Sequence, residues 1–152
     1  MRKNHHQEIK VKVKKCHPRA MLPFYATRES AGFDLYALET VEIPPGEWRT
    51  VRLGLAFEVP PGWQIEIRPR SGLSFKTYLM AKNTIGTVDS DYRGEVCFCA
   101  LNTSTEYTYT VEGDTRICQG VLMPAVRAAF QECQELSGTE RGENGFGSTG
   151  EA

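Results

Sequence analysis

Hydrophobic and polar positions alternate along most of the chain with a period of two residues. This period is typical of strands that have one face in a core and the other face in solvent. Prolines followed by a glycine at 44–46 and 60–62, and the run Glu112-Gly113-Asp114, provide turns between the alternating series. The series run from Ile9 to Val13, Val51 to Val59, Trp63 to Ile67, Val96 to Ala100 and Tyr107 to Val111.

Many short strands at regular spacing predict an all-β fold, either a sandwich or a barrel. No segment predicts a strong helix. The segment Val126–Leu136 is ambiguous, because apolar residues recur there every three positions. After it the composition becomes small and polar, as in a flexible arm. We therefore predict a flexible leader at 1–8, one β domain at 9–136 and a mobile C-terminal arm at 137–152.

The length, net charge and cysteine content of the chain limit the classes of partner and compartment that we expect. A chain of 152 residues is long enough for one domain with a real core. Its net charge of −1 provides no strong positive potential that would attract nucleic acid or an anionic membrane, so we expect neither as a partner. No apolar run has transmembrane length and the start lacks a signal peptide, so we expect a cytoplasmic protein, or a nuclear or otherwise intracellular one if the source is viral or eukaryotic. The five cysteines contain no C-x-x-C pair, which favours buried free thiols in a reducing compartment over metal ligands.

The C-terminal run Arg141–Gly150 has the composition of an arm that closes on a nucleotide. Its four glycines allow close approach to a ligand, and Arg141 offers a charged fork for phosphates. Ser148 and Thr149 can cradle phosphate oxygens, and Phe146 offers a face for stacking on a base. The alternative is a loose Gly/Ser terminus without function.

Three earlier clusters contain candidate residues for binding an anion, a cation or water. Asp34 lies between apolar residues on a predicted strand, where it either caps a turn or lies near a cation. Arg70, Ser71 and Gly72 offer a charge, a hydroxyl and an accessible N–H. If Ser71 opens a short helix, this cluster attracts anions; the alternative is an ordinary N-cap after a strand. Gln119 is a lone amide beside an apolar strand, suited to orient phosphate or water.

The segment Asn83–Val96 is the most informative. Ser90–Gly94 predicts the tight connection of a β-hairpin, whose backbone groups can read the edge of a base. Asp89, at the end of a predicted strand, is a candidate general base for a water molecule. Tyr92 is placed to lie flat against a sugar. The alternative is that these residues only form the turn.

In this order the clusters resemble the trimeric deoxyuridine triphosphatase (dUTPase) family. The resemblance implies a jelly-roll-like β-barrel that forms a homotrimer with sites at the subunit interfaces. It also implies Mg²⁺-assisted hydrolysis of dUTP to dUMP and pyrophosphate, which keeps uracil out of DNA and supplies dUMP for dTMP synthesis. The matching segments are Ala31–Ala37, Arg70–Leu73, Asn83–Val96, Arg116–Gln119 and Arg141–Gly150.

The same resemblance implies a role for each site residue. Asp89 activates the water that attacks the α-phosphorus, Tyr92 packs on the deoxyribose, and Asp34 joins the metal network through water. Contacts to the nucleoside are implied for Asn83, Thr87, Val88 and Cys97, contacts to the phosphates for Arg70, Ser71, Gly72 and Gln119, and closure of the arm for Arg141, Phe146, Gly147, Ser148 and Thr149.

Two other functions compete with this interpretation. A dCTP deaminase shares the fold, but the Asp-Ser-Asp-Tyr run and the Gly-rich tail favour a dUTPase. A regulatory relative that only binds nucleotide or protein has no need for Asp89. Glu143 departs from the small residues usual in the family's arm and adds a negative charge near the triphosphate.

Overall fold

The computed structural model describes residues 8–145, which contain ten strands and one short helix. The predicted all-β class is therefore confirmed. In chain order the elements are β1 (Lys12–Lys15), β2 (Phe33–Tyr36), β3 (Val41–Ile43), β4 (Trp48–Glu58), β5 (Trp63–Pro69), α1 (Ser71–Lys76), β6 (Leu79–Ala81), β7 (Gly86–Val88), β8 (Val96–Asn102), β9 (Tyr109–Val111) and β10 (Arg116–Pro124).

Two four-stranded sheets form the body of the fold. One has the order β1-β4-β8-β6 and the other β2-β10-β5-β7, while β3 and β9 form a small third sheet. All strand pairs are antiparallel. One hydrophobic core joins the two large sheets, with Leu53 and Phe98 from the first packed with Leu35 and Ile65 from the second. This double-sheet layout is that of a jelly-roll-like sandwich.

A β-bulge interrupts β4 at Gly54. The register against β8 shifts between Arg52 and Leu55, and Gly54 has a φ of +69°, which favours glycine. A Cβ atom placed on Gly54 would lie 2.7 Å from the Cβ of Ala20, so the core also excludes a side chain here. The bulge is therefore packed closely against core side chains.

The predicted hairpin around Ser90–Gly94 is wrong. Strand β7 pairs with β5, whereas β8 pairs with β4 and β6 in the other sheet. The connection between β7 and β8 thus crosses from one sheet to the other. The period-two pattern identifies which side chains face the core, but it carries no information on which strands become hydrogen-bonded neighbours.

Beyond β10 the chain leaves both sheets. Within residues 125–145 the structure contains neither helix nor strand, so the ambiguous segment forms neither element here. Val126, Phe130 and Leu136 are 92%, 96% and 89% exposed. The domain boundary at 136 stays a prediction.

All five cysteines are free thiols, but only Cys118 is buried. Cys97 and Cys99 share one face of β8, as their spacing predicts, and are half-buried, while Cys16 and Cys133 are exposed. The prediction of free thiols is thus confirmed, but their burial is wrong for Cys16 and Cys133, which lie outside the strands, and holds only in part for Cys97 and Cys99. Residues 8–145 contain no group of three or more metal-ligating side chains close enough to share an ion, and none of their helices has the length and hydropathy to span a membrane.

Candidate active site

Asp34 is a buried carboxylate held by two arginines. It lies inside β2 and is 7% exposed. Its Oδ1 forms an ion pair with Arg70 Nε at 2.8 Å, and its Oδ2 accepts a hydrogen bond from Arg116 Nη1 at 3.1 Å. The turn-capping interpretation of Asp34 is therefore wrong, and the cations beside it are guanidinium groups. Both cations remain close to the surface, because the side chains of Arg70 and Arg116 are 29% and 45% exposed.

Gln119 lies beside this cluster on the neighbouring strand. It is directly opposite Asp34 in the pairing of β10 with β2. Its Nε2 donates to the carbonyl of Pro69 at 3.0 Å, which connects β10 to the residue before Arg70. A Cβ atom on Gly32 would lie 2.6 Å from the Gln119 Oε1, so the glycine leaves space for the amide.

Helix α1 places Ser71 and Gly72 next to the cluster. Arg70 is the N-cap and makes no side-chain capping bond, and its carbonyl accepts from Leu73 and Ser74 N–H at 3.0 and 3.1 Å. Ser71 is thus the first helical residue and not the cap, contrary to the N-cap alternative. The N–H groups of Ser71 and Gly72 precede the first intrahelical donor, and a Cβ atom on Gly72 would meet nothing within 4 Å.

Asp89 and Tyr92 lie in the connection between the sheets. Strand β7 ends at Val88, so Asp89 follows a strand end as predicted. It is exposed, and within residues 8–145 its carboxylate takes part in no hydrogen bond or ion pair. The Tyr92 N–H donates to the Asp89 carbonyl at 3.2 Å, and the Tyr92 hydroxyl donates to the Glu95 carbonyl at 3.2 Å.

The remaining nucleoside candidates differ in what they can offer a ligand. Asn83 and Thr87 are exposed, whereas Val88 is buried in the core and can offer a ligand only its backbone. Cys97 is half-buried on β8. Burial, and then the charge of Glu95, raises the pKa of the Cys97 thiol, so that it stays protonated at neutral pH.

The chain matches the dUTPase family model over residues 19–150. It belongs to the dUTPase family. The deoxyuridine 5'-triphosphate nucleotidohydrolase of Nautilia profundicola is 49% identical over 142 residues, which cover 93% of this chain and 99% of the relative. The Helicobacter hepaticus enzyme of the same name is 44% identical and covers 96% of this chain and 92% of its own.

Solved dUTPase structures share the fold. The dUTPase of Staphylococcus bacteriophage 80alpha, solved with dUpNHpp, is 27% identical with a TM-score of 0.86 and covers 93% of this chain and 98% of its own. A mutant dUTPase from S. aureus phage phi11 is 21% identical with a TM-score of 0.78 and covers 84% of this chain and 98% of its own. The structure of that phi11 mutant reveals how a structural Mg(II) ion is coordinated.

In this member of the dUTPase family most candidate site residues that precede the arm lie in two groups. The first consists of Asp34, Arg70, Ser71, Gly72, Arg116 and Gln119, and we call it the phosphate cluster after the role that the sequence predicts for it. The second, which we call the crossover loop, consists of residues 89–95. No hydrogen bond or ion pair within residues 8–145 joins the two groups.

The phosphate cluster contains one residue to which the sequence assigned no role. Arg116 is 82 positions from Asp34 along the chain, and only the pairing of β10 with β2 brings them together. A buried acid needs cationic partners, which was the one signal that pointed to an arginine on a neighbouring strand.

The predicted arm is described only at its start. Arg141 is exposed, and its Nε donates to the Asn144 carbonyl at 2.9 Å. Phe146, Gly147, Ser148 and Thr149 lie outside the described residues. Their roles stay predictions.

Proposed function

We propose that this chain is a dUTP diphosphatase that hydrolyses dUTP to dUMP and pyrophosphate. The observation that carries the proposal is Asp89, a carboxylate without a protein partner in residues 8–145, in the same short loop as Tyr92. Family membership supports it, as do relatives named for this reaction and the dUpNHpp bound to the phage 80alpha dUTPase.

In the proposed mechanism Asp89 is the general base. Its exposed carboxylate takes a proton from a water molecule, which attacks the α-phosphorus. The bond between that phosphorus and the oxygen bridging to the β-phosphate breaks, and pyrophosphate leaves. Arg70, the N–H groups of Ser71 and Gly72, and Gln119 bind the phosphates and stabilise the charge on their oxygens.

The donor set of the phosphate cluster fits a magnesium ion held indirectly. Both oxygens of Asp34 are already paired with arginines, so Asp34 would hold Mg²⁺ through water and not by direct ligation. This suits Mg²⁺, which keeps several waters and is bound largely by substrate phosphates. When bound, Mg²⁺ neutralises phosphate charge.

The crossover loop and its flanking strands would supply the specificity. Backbone groups near Val88, with Asn83, Thr87 and Cys97, would read the uracil edge and leave no room for the methyl group of thymine. A cytosine edge would leave buried polar groups unpaired. The Tyr92 ring would pack on the deoxyribose and exclude a 2′-hydroxyl.

A homotrimer would bring the two groups together between subunits. One chain alone does not connect them, and an interface between identical copies can. Three chains of 17.0 kDa give about 51 kDa. A fully active monomer in light scattering at micromolar concentration would contradict the trimer.

The arm would close over the bound nucleotide. We propose that Arg141, Gly147, Ser148 and Thr149 contact the phosphates and that Phe146 stacks on uracil. Deletion of Arg141–Ala152 should then leave the melting temperature unchanged without ligand and reduce turnover by orders of magnitude. A truncated protein that keeps its activity would support the alternative, in which the arm is a loose terminus without function.

Incubation with each dNTP and with UTP, in the presence of Mg²⁺, tests the function. Pyrophosphate should form far faster from dUTP than from the other nucleotides, and no ammonia should form from dCTP. Turnover of dCTP or UTP within about tenfold of dUTP, or about 1.4 kcal/mol of discrimination, would contradict the specificity. Removal of dUTP by this reaction would keep uracil out of DNA and supply dUMP for dTMP synthesis, in the cytoplasm and without a nucleic-acid or membrane partner.

A further inference from the structure

Glu95 connects the crossover loop to the bulge of β4. Its carboxylate is 21% exposed and accepts hydrogen bonds from the Arg52 guanidinium. Arg52 Nη2 donates to Oε2 at 2.9 Å, and Arg52 Nε lies 3.2 Å from each of the two oxygens. Its Oε1 also accepts from the Gly54 N–H at 2.9 Å. All these donors lie on β4, within the segment where the register shifts.

The anchor lies against the core. The side chains of Ala20 and Leu38 fill the space beside Gly54 that a Cβ atom would take, and the Gly54 N–H is directed at Glu95. The hydrogen bond and charge of Glu95 raise the pKa of the Arg52 guanidinium. A carboxylate bound at these positions allows the end of the loop little movement relative to β4.

The backbone of Gly94 and Glu95 positions the Tyr92 ring. The Glu95 carbonyl accepts from the Tyr92 hydroxyl, and the ring lies against Gly94. A Cβ atom on Gly94 would lie 2.3 Å from the Tyr92 hydroxyl oxygen and 2.6 Å from its Cζ. The ring therefore lies directly on the bare backbone of residues 94 and 95.

Hydrogen bonds connect Tyr92 to the rest of the crossover loop. Its N–H donates to the Asp89 carbonyl at 3.2 Å, and Arg93 Nη1 donates to the Ser90 and Tyr92 carbonyls at 2.7 and 2.9 Å. A continuous series of contacts thus runs from the β4 bulge through Glu95 to the proposed sugar contact and the proposed general base.

We propose that Glu95 is a positioning residue that fixes Tyr92 for discrimination between deoxyribose and ribose, with Arg52 and the Gly54 N–H as its anchor. The inference rests on the proposed function of Tyr92. The Glu95 side chain is engaged by β4, so it acts through Tyr92 and not on the substrate. Loss of the anchor frees the loop end, and the ring no longer blocks the space of a 2′-hydroxyl.

The test compares kcat and KM for dUTP and UTP in the full-length protein with Mg²⁺. In Glu95→Gln the amide oxygen can still accept from Gly54, but the charged fork with Arg52 is lost. We expect the ratio of kcat/KM for dUTP over UTP to fall by about tenfold, within the range of coupling between residues in contact. Arg52→Gln should lower the ratio similarly, and the double variant should lower it little further.

Glu47→Gln is the matched control. Glu47 directly precedes β4 and pairs with an exposed cation on that strand, Arg49 Nη1, at 2.6 Å. It lies at the end of the strand farther from the bulge, so its removal should leave the ratio unchanged.

The outcomes separate the inference from the proposed function. A wild-type protein that hydrolyses UTP as fast as dUTP would refute the assignment of Tyr92 itself. A discriminating wild type whose Glu95→Gln variant keeps the ratio, or loses activity on both substrates in equal proportion, would overturn the role of Glu95. If Glu95→Gln does not fold, Arg52→Gln decides, because it leaves Glu95 and its bond to Gly54 in place.

Discussion

Replacement of Asp34 by asparagine should both destabilise the fold and change the orientation of the Arg70 side chain. Asparagine has nearly the same shape, but only one of its two terminal atoms accepts hydrogen bonds. The other is an NH₂ group that would face a guanidinium donor, from either Arg70 or Arg116. The change therefore removes the negative charge from both ion pairs, weakens the contact with at least one arginine and leaves two cations close together.

The size of the effect follows from burial. A hydrogen bond to a charged group contributes about 1.5–3 kcal/mol, and breaking a fully buried pair costs about 3–5 kcal/mol. Here the carboxylate is buried, but Arg70 and Arg116 are 29% and 45% exposed and can regain water. We therefore expect a loss of about 1–3 kcal/mol, which for a chain of this length lowers Tm by roughly 2–4 °C for each kcal/mol.

Thermal unfolding and steady-state kinetics measure the two consequences. Protomer concentration must be equal in all samples, because unfolding of an oligomer depends on it. The kcat/KM for dUTP should fall, since Arg70 keeps its charge but loses its orientation. Glu58→Gln, which alters an exposed ion pair, should change neither quantity. An Asp34→Asn variant with unchanged Tm and unchanged kcat/KM would refute the idea that this carboxylate organises the phosphate cluster.

Three further outcomes follow from the site. Asp89→Asn should lower turnover by about 10²–10⁴-fold while binding of dUpNHpp persists, and near-normal turnover would remove Asp89 from the mechanism. Gly94→Ala should lift the Tyr92 ring and lower the dUTP-over-UTP ratio at constant Tm, and an unchanged ratio would show that the ring does not need this contact. Because Cys118 is buried and burial raises the pKa of its thiol, alkylation at neutral pH should modify exposed Cys16 and Cys133 and reach Cys118 only after unfolding, as mass spectrometry of the proteolytic peptides can show.

Local patterns were enough to predict most strands of this fold. In β4 the alternating residues Val51, Leu53, Leu55 and Phe57 are all buried, as their period indicates. The bulge was not predicted. A glycine inside a strand pattern indicates either a bulge or a close approach of backbone, and at Gly54 both occur.

Long-range pairing was the main source of error and omission. The segment around Ser90–Gly94 has the composition of a hairpin, yet β7 and β8 belong to different sheets because each finds its partner far away in sequence. For the same reason the sequence predicted no role for Arg116 or Glu95. Their partners, Asp34 and Arg52, are 82 and 43 positions distant.

The two groups of site residues are held by separate anchors, and this has a consequence for their energetics. The phosphate cluster depends on the Asp34 ion pairs in one sheet, and the crossover loop depends on the Glu95 anchor to β4 in the other. Residues that are distant and share no partner contribute additively to free energies. Asp34→Asn should therefore lower kcat/KM for dUTP and UTP by the same factor, whereas Glu95→Gln should change the ratio between them. The double variant should show the product of the two effects, measured as kcat/KM for both substrates. A combined effect far from that product would mean that assembly of the proposed trimer couples the anchors, and phosphate binding and sugar discrimination would then have to be treated as one property of its interface.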